Sequence, residues 1–229
     1  MPDAGAGSVT QARDFVADRL RMIFDDSPLT VSIMLFNAAI LAFVHRGLID
    51  GAYLGLWLSY MALIGAGRVM LLAAYRRRRP RTDRESAPWL RRTLAGLFAS
   101  GVGWGVGGVV LIALGPGSHK VFTAFVLGGM AAGALPTLAR IFPVYAVFLV
   151  PTLVPVIGYF AVLGTEASLY LTAMGLVFLG FLVVAGRRQQ ATVLGALRVA
   201  DENRSLVDHL TAQRREALQE KERVDRLNA

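Results

Sequence analysis

Cysteine is absent from the 229 residues, which removes disulfide frameworks, thiolate metal sites and cysteine nucleophiles from consideration. Lysine is almost absent too: of 24 basic residues only Lys120 and Lys221 are lysines. A retinal-type Schiff base needs a lysine at membrane depth, and Lys120 falls at the rim of an apolar block, so light sensing through such a group is not expected. Charge is sparse, at 17% of residues against 55% hydrophobic. A soluble domain does not need that much apolar surface to bury one core, so the composition is that of a membrane protein. Phosphate loops, GxSxG, HExxH and paired-acid motifs are missing as well. A GxGxG-like run at 101–108 lies inside an apolar block, where it cannot cradle a nucleotide. No catalytic residue, metal or cofactor is expected, and the chain itself is not expected to be an enzyme.

What the sequence does contain is a sharp division. Six apolar blocks, at 28–46, 53–75, 93–114, 119–139, 143–163 and 167–186, each approach the roughly 20 residues that cross a bilayer as a helix. The expected fold is all-α: a polytopic six-helix transmembrane bundle at 28–186, preceded by an N-terminal segment at 1–27 with an interfacial amphipathic helix and followed by a coiled-coil helix at 187–229. The net charge of +8 resides largely in Arg76, Arg77, Arg78, Arg79, Arg81, Arg91 and Arg92, between the second and third blocks. Arg140 and the pair Arg187 and Arg188 follow the fourth and sixth blocks. Arginine on the same side at each return is the positive-inside pattern rather than a nucleic-acid patch, and with six spans it places both termini in the cytoplasm. The partner is the lipid bilayer; nucleic acid is not.

Residues 9–25 set Phe15, Val16, Leu20, Ile23 and Phe24 near one side of a helix, with Arg13, Asp14, Arg19 and Arg21 mostly elsewhere, the pattern of a helix lying on the membrane surface. Ser27 followed by Pro28 reads as the cap and first residue of the first span. Gly101, Gly105 and Gly108 fall on one stripe of the third span, and Gly129 and Gly133 form a small-xxx-small pair in the fourth. Such residues let helix backbones approach closely where lipid removes most of the hydrophobic drive. Pro143, Pro151 and Pro155 predict a kinked fifth helix.

Beyond Arg187 no proline interrupts the chain. One heptad frame places Ala196, Val199, Asn203, Leu206, Leu210, Gln213, Ala217, Glu220, Val224 and Leu227 at the a and d positions, seven of the ten apolar. Asn203 at an a position is the polar group that fixes register in a parallel two-stranded coil, while Gln213 and Glu220 weaken the seam. A homodimer through this helix is expected, and a fully helical 187–229 would extend about 65 Å. The pattern runs on to the last residue, so a further segment is expected to follow it.

Few polar residues interrupt the blocks. Arg68 is the one charge well inside a span, and an intramembrane charge is a functional candidate by default. The competing structural reading is snorkelling toward the inner surface or a hydrogen bond to Asn37 or Ser59. His45, Asp50, His119 and Glu166 gather near the outer ends of spans, where imidazoles and carboxylates can sense protons or a ligand, although their spacing is no metal-ligand pattern. Arg68, Asn37, His45, His119 and Glu166 are thus the candidate signal residues.

Four stretches carry a likeness: RMIFDDSPLTVSIMLFNAAILAFV, the arginine-rich second link ending in WLRR, GMAAGALPTLA, and RVADENRSLVDHL. Together they resemble the membrane-embedded sensory module ahead of bacterial sensor histidine kinases, often hybrid ones, and of related GGDEF or EAL signalling proteins. The resemblance implies a six-helix input domain in the bacterial inner membrane, a homodimer and a catalytic output domain in cis after the coil; it supplies no ligand residues. The expected function is a signal-input and dimerisation domain of a two-component sensor histidine kinase. An input domain for a cyclic-di-GMP enzyme is the first alternative. A small six-helix transporter or channel is the second, compatible with glycine- and proline-rich spans.

Overall fold

The computed structural model describes residues 15–78, 80 and 82–228, with side chains up to 219 apart from 216. Residues 9–14 of the expected amphipathic helix, Arg79, Arg81 and the side chains of Glu220, Val224 and Leu227 lie outside the described residues. Eight helices are described: α1 (Val16–Asp25), α2 (Ser27–His45), α3 (Gly51–Arg78), α4 (Asp83–Leu114), α5 (Gly117–Gly133), α6 (Leu135–Leu138), α7 (Phe142–Leu163) and α8 (Glu166–Asn228). Among the described residues there is no strand, only an isolated bridge between Arg46 and Ile49. Six segments are long and apolar enough to cross a bilayer: α2, α3, α4, α5 with α6, α7 and α8. The chain is thus all-helical with the build of a multi-pass membrane protein.

Two compact units divide at Gln190, close to the boundary expected at 186. The first is a helical bundle whose most extensive contact is between α4 and α7. The reason lies in two matched surfaces. Pro155 has no N–H, so the carbonyl of Pro151 one turn earlier has no helical donor, and that carbonyl faces Gly105. A Cβ at Gly105 would fall on this oxygen, and one at Gly101 would sit 2.7 Å from the Phe148 carbonyl oxygen. The α4 glycines thus seat the proline-bearing face of α7 at backbone contact. A Cβ at Gly108 would lie 2.5 Å from the Cδ1 of the Leu127 side chain of α5. Helix α7 continues through Pro151 and Pro155, whereas Pro143 stands at its first turn, where the missing N–H removes no bond. Gly164 ends α7 at φ +66, the left-handed cap that residues with a side chain rarely adopt.

Gly129 and Gly133 depart from expectation. Within one copy of the chain a Cβ at either meets nothing within 4 Å; neither seats a neighbouring helix.

The N-terminal region also differs. Helix α1 is amphipathic, but its apolar face is covered by protein: Leu20, Ile23 and Phe24 are buried, and Phe24 stacks on Tyr75 at 3.9 Å between ring centroids. Tyr75 in turn meets Trp89 edge-on. Ser27 is not a side-chain cap; it opens α2, and only Asp26 separates α1 from α2. The Asp26 carboxylate does not cap α2 either: it is paired with Arg140 at 2.8 Å, while Arg140 also donates to the Met22 carbonyl at 2.7 Å. Two further bonds bind this end: the Ala17 N–H to Asp83 at 2.8 Å and the Phe142 N–H to Gln190 at 2.6 Å. Helix α4 begins ten residues before the apolar block, with Thr82 Oγ1 accepting from the Glu85 N–H, a capping arrangement written in the TDRE sequence.

Helix α8 is unbroken from Glu166 to Asn228. In its apolar part only Ser168, Leu182 and Gly186 are buried, and large side chains such as Met174, Val177 and Phe181 are exposed. In the second unit Val199, Leu206 and Leu210 are exposed along the heptad frame.

Candidate functional site

A cavity of about 260 Å³ lies within the first unit, lined by α2, α3, α4, α5 and α7 with the α6 turn. Its wall is almost wholly apolar: Ile33, Met34, Leu97, Val126, Leu138 and Phe148 contribute, and Gly129, Gly133 and Ala134 leave the space open because they carry little or no side chain. Ile33 and Phe125 line it and are themselves exposed on the bundle surface, so its mouth lies between α2 and α5. Three polar side chains reach it: Thr30 and Asn37 from α2, and Arg68 from α3.

Arg68 reaches across to α2. Its Nη2 donates to Thr30 Oγ1 at 3.2 Å, and its Nη1 approaches the Met34 sulfur at 4.0 Å. Thr30 has lone pairs to accept this bond because its own hydroxyl hydrogen goes to the Ser27 carbonyl at 3.0 Å. Asn37, expected as a hydrogen-bond partner of Arg68, instead points its amide at the Met130 sulfur at 3.1 Å. Ser59, the other expected partner, does not bond Arg68. Among the described residues no carboxylate pairs with Arg68. The guanidinium carries five N–H donors, and its protein acceptors are one hydroxyl and one weakly accepting thioether. The guanidinium therefore has donors in excess of the acceptors it bonds, none of them charged, an unusual balance for a charge held about 12 Å inside the basic end of its own helix.

The second expected cluster separates. His45 and His119 do come together, their rings meeting edge-on at 5.4 Å between centroids. His45 is fully buried; its Nδ1 donates to the Leu41 carbonyl at 2.9 Å and its Nε2 meets Thr123 Oγ1 at 3.3 Å. Both ring nitrogens are therefore occupied, Nδ1 within the last turn of α2 and Nε2 in tying that end to α5. His119 Nδ1 is 3.2 Å from Ser118 Oγ. Glu166 does not join them: it accepts from the Tyr170 hydroxyl at 2.7 Å in the first turn of α8. Asp50 accepts from the Ala52 N–H at 2.7 Å at the start of α3. Among the described residues no group of three or more His, Cys, Asp or Glu side chains is placed to hold a metal ion.

Arg68, Asn37, Gly129 and Gly133 stand out in the sequence, whereas Thr30, Met34 and Met130 do not. Thr30 was accessible, lying on α2 at the depth of Arg68; the methionines carried no signal that separates a cavity wall from ordinary core. No protein-family model matches the chain, and no curated protein and no solved structure matches it either.

Proposed function

We propose that this chain is a signal-input and dimerisation domain of a bacterial inner-membrane receptor, with both termini in the cytoplasm. Its output is a histidine kinase in cis, with a cyclic-di-GMP enzyme as the alternative. The observation that carries the reading is α8: one helix includes both the sixth apolar segment and the heptad-patterned stretch. A helix that passes from a loosely held span into a dimerisation seam is a two-state element that a stimulus in the bundle can bias. Its weak burial within the bundle unit supports a part that moves rather than a part that braces. The exposed Val199, Leu206 and Leu210 supply the apolar surface a second copy would cover.

Charge supports this orientation. Arg140 and the arginine-rich ends of α3 and α4 lie with the α1–α2 junction, at the end of the bundle opposite the His45–His119 contact, as the positive-inside rule requires of a cytoplasmic face.

The test is substitution of residues 1–190 by an unrelated dimeric membrane anchor, in a fusion that carries a dimer-dependent kinase after Asn228. The native bundle is expected to hold output at least about fivefold away from the level set by the anchor, the lower end of ordinary coupling between sites. Equal output from the two fusions would reduce the bundle to an anchor.

A further inference from the structure

The cavity under Arg68 has a chemistry that selects its occupant, and we infer that it binds a single-chain amphiphile with a carboxylate head, its carboxylate on Arg68 and its alkyl chain along the apolar wall. Three features converge on this class. The guanidinium meets only Thr30 Oγ1 and a methionine sulfur, and the Asn37 NH2 meets only another sulfur, so two donor groups share one hole with no anionic acceptor among the described residues. A planar carboxylate is the acceptor that the guanidinium fork holds bidentately. Apart from Thr30 and Asn37 the rest of the lining is apolar, which favours an alkyl chain. The volume of about 260 Å³ lies below the usual range of roughly 300–1,000 Å³ for drug-sized ligands, which fits one acyl chain rather than two. Entry is lateral from the lipid, since Ile33 and Phe125 flank the mouth on the exposed surface.

The open glycines make the site adjustable. Because a Cβ at Gly129 or Gly133 meets nothing within 4 Å and both glycines line the cavity, a side chain added there has room to enter it. That this amphiphile is also the stimulus rests on the input-domain reading; its binding does not.

The experiment uses the full chain in nanodiscs and radiolabelled decanoate, with decanol as the uncharged probe of equal chain length. Saturable decanoate binding is expected, at least about tenfold tighter than decanol. Arg68→Gln should weaken decanoate at least about tenfold and leave decanol unchanged; Arg68→Lys should restore part of the loss, the charge without the fork. Gly129→Leu should abolish binding of both probes. Equal affinity of the wild-type chain for decanoate and decanol would overturn the proposal. So would loss of decanoate binding when phosphatidylglycerol replaces part of a phosphatidylcholine disc, because Arg68 would then serve a bilayer headgroup. Decanoate that binds as expected but leaves the output of the kinase fusion unchanged would uphold the site and count against the input-domain reading alone.

Discussion

Gly105→Ala is expected to cost more stability than any other single methyl addition in the bundle, more than about 3 kcal/mol, at the upper end of what overpacking a close-packed interior costs. The new Cβ would fall on the carbonyl oxygen of Pro151. A clash with a flexible side-chain tip is relieved by a rotamer change; one with a backbone carbonyl moves a whole helix. Helix α7 cannot retreat freely, because Gly101 meets the Phe148 carbonyl and Pro151 ring on the same face and Tyr145 is bonded to the Ala131 carbonyl at 2.9 Å. Gly129→Ala is the control of opposite sign. With nothing within 4 Å of its Cβ, it should keep only the helix-propensity gain of alanine over glycine, up to about 1 kcal/mol. Thermal unfolding of the detergent-solubilised chain, followed by loss of the monodisperse species, reads both. Equal effects at the two positions would contradict the α4–α7 backbone contact.

Inserting one to seven alanines after Leu197 is expected to change the output of the kinase fusion with a helical period, by about 5-fold or more between extremes. Each added residue rotates the distal part of α8 by about 100° relative to its membrane part, and seven restore the heptad phase. An output that falls steadily with insert length would argue against rotary or register coupling through α8. The effect is large because rotation turns the whole a/d stripe, Val199, Leu206 and Leu210 included, away from a partner helix.

The six helices long and apolar enough to cross a bilayer were legible in the sequence because length and apolarity are properties of each segment separately, and both can be read from one stretch at a time. The glycine stripe at 101, 105 and 108 was legible for the same local reason; that its partner is the carbonyl released by Pro155 needed the register of α4 against α7. The first ten residues of α4 escaped because Arg84, Arg91 and Arg92 break the hydropathy, although the TDRE cap marked the true start. The apolar face of α1 was plain, but whether lipid or protein covers it depends on Tyr75, which lies 51 positions from Phe24 in the chain. Arg68 and Asn37 stood out as polar residues in apolar spans. The cavity between them did not, because an opening is what five helices fail to fill, and no single segment encodes it.

Pairing of a receptor input through α8 is read by cysteine crosslinking in native membranes at successive positions from 199 to 227, on a background with no cysteine of its own. Crosslinking that peaks at 199, 206, 210 and 224, with troughs between, is the result expected of a parallel two-stranded coil. Uniform or absent crosslinking along the whole stretch would contradict it.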